Sequence, residues 1–331
     1  MKYILIGGSG FIGQHFKKCL GNKIILNLDI NEGINNNQYS FCNILDEISI
    51  DEKINENEEI CLIHLAAVHF DFQKNYYETN VEGTKNVLNF ISKNKRISKY
   101  VFFSSVATYG DSINGKNEKS KQLPYNDYGK SKLLAEKIIL DWNKRNSFTK
   151  IIIVRPAVVY GEYNFGNVYN FLKQISNGFF AIIGSGKNIK SIAYAPNLVD
   201  SVIYAVNNIH DKIFIYNYSD YPQMTITEQS NKLCELMDKS KPIKFPYFLT
   251  RFITLPIDIL EKIFRKDLKF NSMRVKKFTI PTNFNSDLIR SKGFKQKYTI
   301  EKGYKNTLKW ISTTHNINEL REKWYKNASK L

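Results

Sequence analysis

Six residues into the chain an apolar run gives way to Gly7-Gly8-Ser9-Gly10-Phe11-Ile12-Gly13, a GxxGxxG spacing that opens a helical segment reaching about Leu20. Glycines are needed there because the turn has unusual dihedrals, the backbone must come close to a pyrophosphate, and the helix must pack tightly on a sheet. The start of that helix offers free N–H groups and a positive dipole end to phosphates. Asp29 ends the second apolar run, 22 residues after Gly7. A carboxylate there accepts hydrogen bonds from an adenosine ribose 2′-hydroxyl and repels a 2′-phosphate. Strand, glycine turn, helix and acid in this order predict a dinucleotide site that prefers NAD to NADP. Gly129-Lys130-Ser131 is not the end of a P-loop, because the required leading glycine falls on Pro124.

Apolar runs recur at residues 3–6, 24–28, 60–65, 100–103 and 151–154, with helical-looking stretches between them. Continuous Ile, Val, Leu and Phe suits strands buried on both faces, and alternation with helices implies a parallel sheet wound by right-handed crossovers. The expected fold class is α/β: a Rossmann-type doubly wound parallel sheet over residues 1–160, rejoined by part of 190–225. After residue 160 the rhythm breaks. Residues 161–331 are expected to form a smaller, mixed substrate lobe, with helices over 167–176, 197–207 and 225–238. A chain of 331 residues, 43 % hydrophobic with 22 Phe and 20 Tyr, can supply the cores for both parts.

Charge is distributed unevenly. Lys plus Arg number 48 against 31 Asp plus Glu, a net +17, and 22 of the bases but 7 of the acids lie from residue 239 onward. Residues 1–238 are therefore nearly neutral, and the basicity belongs to the second lobe. Residues 247–264 read YFLTRFITLPIDILEKIF, apolar but interrupted by Arg251, Pro256, Asp258, Glu261 and Lys262. Those residues argue against a membrane span. The flanking Lys241, Lys244, Arg265, Lys266 and Lys269 suit an interfacial segment meeting anionic lipid of the inner leaflet. The other reading is a lobe helix or dimer contact with solvated lysines. Nucleic acid is not expected, because no binding motif is present and aromatics are not interleaved with the basic residues. Cys19, Cys42, Cys61 and Cys234 make no CxxC pair and have no clustered His, so neither disulfides nor a metal site are expected. With no signal-like N-terminus and no run of 18 apolar residues, a cytoplasmic location is expected, with peripheral contact to the inner membrane left open.

Ser104-Ser105-Val106-Ala107-Thr108-Tyr109-Gly110 follows the fourth apolar run, and Tyr128-Gly129-Lys130-Ser131-Lys132 begins a helical stretch. Tyr128 and Lys132, spaced i, i+4, share one helix face. A phenol has a pKa near 10, and lowering it to roughly 7 requires about 4 kcal/mol, which a positive charge about 4 Å away supplies at an effective dielectric of about 20. Lys132, helped by an oxidised nicotinamide, is expected to make Tyr128 a general acid or base, with the Ser105 hydroxyl holding the reacting oxygen.

GGSGFIG, His64-Leu65-Ala66-Ala67, Asn80-Val81-Glu82-Gly83-Thr84, SSVATYG, YGKSK and Val154-Arg155-Pro156 together resemble the extended short-chain dehydrogenases/reductases, a family of nucleotide-sugar epimerases, dehydratases and reductases. The resemblance covers nearly the whole chain. It implies NAD held by Gly7, Gly10, Phe11, Ile12, Gly13, Asp29, Leu65, Ala66, Ala67, Asn80, Tyr128 and Lys132. Asn43, followed by Ile44, stands where family members usually carry Asp beside the adenine, and an amide can still bond the base. Val158 lies near where galactose-type epimerases place a substrate-contacting Asn. Val106 and Ala107 replace the acidic pair typical of dehydratases. In the second lobe, residues 166–173, 184–194 and 272–278 look like the N-acetylglucosamine 4-epimerases of bacterial O-antigen clusters, some of which act on sugar attached to undecaprenyl diphosphate. By that resemblance Ser105, Asn167, Lys190 and Arg274 face the sugar and its diphosphate, where cations and fixed donors are needed. The activity implied is 4-epimerisation of a UDP- or undecaprenyl-diphosphate-linked N-acetylhexosamine through a 4-keto intermediate, for surface polysaccharide, in a homodimer. A 4-ketoreductase and a non-catalytic NAD-binding sensor or scaffold are the alternatives.

Overall fold

The computed structural model describes residues 1–33, 38–50, 58–69, 75–264 and 272–329. Strand β1 (Lys2–Ile6) leads through the glycine turn into α1 (Phe11–Leu20). There follow β2 (Ile24–Asp29), β3 (Tyr39–Phe41), β4 (Ile60–His64), α2 (Gly83–Lys93), β5 (Ile97–Phe103), β6 (Ser112–Lys116), α3 (Asp127–Arg145) and β7 (Lys150–Pro156). Beyond them lie β8 (Val158–Tyr160), α4 (Asn167–Ser176), β9 (Ile182–Ile183), β10 (Ile192–Tyr194), α5 (Ala195–Asn208) and β11 (Ile213–Tyr218). The chain ends with α6 (Ile226–Leu236), β12 (Lys244–Phe245), α7 (Tyr247–Phe264), α8 (Ser272–Thr279), β13 (Thr282–Phe284), α9 (Asp287–Ser291), α10 (Ile300–Thr313) and α11 (Ile317–Ser329).

Among the described residues, seven strands form one parallel sheet in the order β11-β7-β5-β4-β1-β2-β3. The apolar runs are its centre: every residue of β4 is buried, as are Ile4, Leu5 and Ile6 of β1. Alternate side chains feed two cores. Leu5, Phe16, Val101 and Leu198 share one face, while Ile4, Leu62, Leu88 and Ile139 share the other. Strand order reverses between β1 and β4, which opens a crevice at the carboxyl ends of the strands, the place where such sheets bind ligands.

Sequence periodicity does not single out β3 or β11. β3 is a three-residue edge strand with two residues exposed. β11 pairs with β7 from Ile213↔Ile151 to Tyr218↔Pro156, within the stretch expected to rejoin the sheet. The helices expected over 167–176, 197–207 and 225–238 correspond to α4, α5 and α6.

The second lobe has its own core, including Phe171, Leu172, Tyr194, Leu233 and Tyr304. Parallel pairing of β13 with β6 ties it to the segment that follows the catalytic-candidate serine. Within it, α7 is inverted: Thr250 and Thr254 are buried, whereas Phe248, Phe252, Leu255 and Ile259 are exposed. Among the described residues no helix is long and apolar enough to cross a membrane.

Candidate active site

Gly7 turns with φ 81°, a conformation that side chains resist. A Cβ there would strike the backbone N of Ala66, and one on Gly13 would strike the carbonyl of Gly8. These two glycines serve the protein's own packing. At Gly10 the nearest atom to an added Cβ is the Gly7 carbonyl oxygen, 3.5 Å away, so protein packing leaves that position open. Gly10 is also the N-cap of α1 and provides no side-chain cap to its first-turn amides. An open, uncapped helix start is the cradle that a pyrophosphate fits.

Neighbouring residues brace this loop. Leu65 N and Ala66 N donate to Ile6 O at 2.7 and 3.0 Å, which holds residues 65–67 against the glycine turn. Phe11 stands edge-on to His15 and Ile12 packs on the core. Asp29 accepts Ser9 N through Oδ2 at 2.9 Å and Asn31 N through Oδ1 at 3.0 Å. Each carboxylate oxygen has a further lone pair for a ribose hydroxyl. Burial raises the pKa of Asp29 from its ordinary value, against the lowering effect of the Asn31 and Ser9 amides. Asn43 Oδ1 accepts Leu45 N at 3.1 Å, and Ile44 is buried. The Asn80 amide bonds Val68 N and O, each at 2.9 Å, and Ser131 Oγ at 3.0 Å. It therefore clamps the loop after β4 to α3.

The structure brings Ser105, Tyr128 and Lys132 together at the end of β5 and the start of α3. Asn126 caps α3 by accepting Gly129 N at 2.8 Å. Tyr128, in the first turn, lies beside the Ser105 side chain, whose hydroxyl favours the phenolate. Ser105 Oγ also accepts Ala107 N at 3.1 Å, which orients it. One turn on, Lys132 is buried with Nζ 4.5 Å from the centroid of the Phe102 ring. Tyr76, which no sequence motif singles out, also stands here; its ring lies 6.2 Å from that of Tyr128.

Burial dominates the electrostatics of the pair. It pushes the Tyr128 phenol up to about 12, against the lowering effect of the Ser105 side chain. It likewise pushes Lys132 down to about 7, although Glu136 favours its charge. Desolvation is the largest cause at both groups, so a low phenol pKa needs the positive charge that an oxidised nicotinamide would add.

Glu136 lies one further turn along α3. It too falls outside the sequence motifs, though its i+4 spacing from Lys132 is visible there. Its carboxylate accepts Arg155 Nε at 2.9 Å and Nη2 at 2.6 Å, Gln122 Nε2 at 3.1 Å, and the Ser104 hydroxyl. Arg155 Nη1 donates to Tyr109 Oη at 2.6 Å, and Tyr109 donates to Asn217 Oδ1 at 2.8 Å. Both charged residues are buried. The network joins α3, β7 and β11 to Ser104, the residue before Ser105.

The substrate-side expectations are more dispersed. Asn167 is in the first turn of α4. Lys190 Nζ donates to Ile280 O at 2.7 Å, and burial lowers its pKa to about 8. Ile280 follows α8, the helix that carries Arg274; the Arg274 side chain lies outside the described ones. A cavity of about 400 Å³ borders Tyr128, with Tyr76, Tyr125, Asn126, Asp127 and Lys130 in its walls. A smaller one of about 170 Å³ lies between residues 183–188 and the start of α7, lined also by Tyr247 and Thr279.

Residues 3–217 match the profile of the NAD dependent epimerase/dehydratase family. The chain belongs to that family. This epimerase/dehydratase is 35 % identical over 314 residues to the N-acetyl-alpha-D-glucosaminyl-diphospho-ditrans,octacis-undecaprenol 4-epimerase of Escherichia coli O157:H7, covering 93 % of this chain and 94 % of the relative. Solved structures share its fold. The UDP-N-acetylglucosamine 4-epimerase of Methanobrevibacter ruminantium, in complex with UDP-N-acetylmuramic acid, is 19 % identical with a TM-score of 0.71, over 95 % of this chain and 99 % of that one. The UDP-glucose 4-epimerase of Thermus thermophilus, in complex with NAD, is 18 % identical with a TM-score of 0.70, over 95 % and 100 %. The cofactor of this epimerase/dehydratase is NAD, and the open helix start at Gly10 fits it.

Proposed function

We propose that this chain is an NAD-dependent 4-epimerase of an N-acetylhexosamine carried on undecaprenyl diphosphate, with Tyr128 as its proton-transfer residue. The carrying observation is the end-to-end likeness to the Escherichia coli undecaprenol-linked 4-epimerase, at 35 % identity over 93 % of the chain. The placing of the Ser105 side chain beside Tyr128 supports it. In this reading residues 1–160, with the returning strand β11, hold NAD through Gly7, Gly10, Phe11, Ile12, Gly13, Asp29, Asn43, Ile44, Leu65, Ala66, Ala67 and Asn80. Residues 161–331 carry the sugar, with Asn167, Lys190 and Arg274 at its diphosphate and hexosamine.

When bound, NAD supplies a reversible electron-pair acceptor for C4 of the sugar and, in its oxidised form, a positive charge near the phenol. The chain's own task is the proton. Tyr128 Oη takes the proton of the sugar's O4 hydroxyl, and the Ser105 hydroxyl donates to the C4 oxygen as it becomes a carbonyl. Charged Lys132 stabilises the phenolate across one helical turn. The 4-keto sugar then turns over in the pocket, and Tyr128 returns the proton when C4 is reduced on its other face. No net oxidation occurs, so one bound cofactor serves every cycle.

The protein is proposed to work as a homodimer on the inner-leaflet surface in surface polysaccharide synthesis. The test is to incubate purified protein, without added cofactor, with undecaprenyl-diphosphate-linked GlcNAc and with UDP-GlcNAc. Conversion of the lipid-linked sugar to its GalNAc epimer is expected. A strict need for added reduced cofactor would instead identify a ketoreductase.

A further inference from the structure

We infer that the outward face of α7 is a lipid-docking surface that seats the chain on an anionic bilayer; this rests on the proposal that the substrate is lipid-linked. A helix on a globular protein turns its apolar stripe to the core. Here the arrangement is reversed. Thr250 and Thr254 are 4 % and 1 % exposed, whereas Phe248 and Phe252 are 64 % and 74 % exposed and Leu255 and Ile259 are 55 % and 50 % exposed. The four apolar positions are spaced i, i+4, i+7, i+11, so they form a single outward stripe. Inward, Asp258 accepts the backbone N–H of Ser272 at 3.0 Å, which turns this acid toward α8.

An outward apolar stripe on a helix containing Pro256 and charged residues suits a segment lying in the plane of a membrane surface. Its charge fits the same partner. Residues 241–277 contain ten Lys or Arg against three Asp or Glu, and bases flanking an interfacial helix meet anionic headgroups. A second copy of the chain is the less suitable occupant, because a two-fold self-contact would bring two copies of this basic stretch of sequence together; Arg265, Lys266 and Lys269 of it lie outside the described residues. Location adds a reason. Tyr247, the first residue of α7, lines the cavity formed with residues 183–188 and Thr279, on the loop that leads to Lys190. A polyprenyl chain leaving a diphosphate near Lys190 has only to follow α7 to enter the bilayer.

The test is flotation of the full chain, at physiological salt, with vesicles of phosphatidylcholine containing about 30 % phosphatidylglycerol and with pure phosphatidylcholine vesicles. Wild type is expected to float with the anionic vesicles only. The Phe252→Ser/Ile259→Ser variant is expected to lose at least about tenfold in partitioning, with an unchanged melting temperature and unchanged turnover of detergent-solubilised lipid-linked GlcNAc. Turnover without flotation of the wild type would overturn the docking surface and leave the reaction standing. Flotation lost in the variant, without turnover in either protein, would support the docking surface and refute the reaction. If wild type stays unbound and the variant changes oligomeric state by light scattering, the face is a self-association surface and the inference fails.

Discussion

Replacing Glu136 by Gln keeps the shape of the side chain and removes its charge. In the parent, its carboxylate receives two bonds from Arg155, at 2.9 and 2.6 Å, one from Gln122, and one from Ser104. The variant leaves Arg155, 4 % exposed, without its paired anion. Removing one partner of a buried pair costs about 3–5 kcal/mol. For a chain of 331 residues, with an unfolding entropy of about 2.1 cal/mol/K per residue, each kcal/mol moves the melting temperature by about 1.5 °C, so a fall of about 4–7 °C is expected by calorimetry. Removing both charges in Glu136→Met/Arg155→Met leaves no unpaired ion, and the double variant should melt above Glu136→Gln. Turnover provides the second readout. Because Ser104 adjoins Ser105 and Glu136 favours the charged form of Lys132, both variants should turn over slowly even where fully folded. A Glu136→Gln protein melting within about 2 °C of the parent, or a double variant melting below it, would refute the view that this pair anchors α3.

Three further outcomes are expected. Tyr128→Phe should retain bound NAD, measured by release on denaturation, and lose turnover by about 10²–10⁴-fold; undiminished turnover would remove Tyr128 from the mechanism. Gly7→Ala should fail to fold, because its Cβ meets Ala66 and its φ is positive, whereas Gly10→Ala should fold normally and purify depleted of NAD; equal melting temperatures for the two would contradict the packing argument. Lys132→Met should be inactive but more stable at low pH. Burial lowers Lys132 from 10.5 to about 7, so the folded chain resists a proton that the unfolded chain accepts. Its penalty is absent above about pH 10.5, grows as the pH falls toward about 7 and is constant below, reaching about 5 kcal/mol at most. With NAD content matched, the variant's gain in melting temperature should be full at about pH 6.5 and vanish near pH 10.5; an equal gain at both would refute the cause.

Much of the sheet is directly legible in the sequence, because strands of a parallel sheet buried on both faces are continuous apolar runs, as in Ile60–His64. The glycine spacing and the Tyr128–Lys132 register are legible for the same reason: they are local. What escapes depends on distant partners. The short β3 has two of its three residues exposed, so it carries little apolar signal. The sign of the shift at Tyr128 depends on how much water surrounds the phenol, which spacing does not encode. The role of Glu136 needs Arg155, 19 residues away on another element. The run at 247–264 is plainly apolar, but which side of α7 faces the protein is decided by tertiary contacts.

The attachment of Asp29 to Ser9 N and Asn31 N bears on redesign of cofactor choice. Exchanging this acid for a small neutral residue is an obvious first step toward accepting a 2′-phosphate. Here that step would also unlatch the glycine turn, since the carboxylate fastens the Ser9 amide inside it. A swap to NADP would therefore need a second substitution that supplies a new acceptor for Ser9 N before any arginine is introduced to greet the extra phosphate.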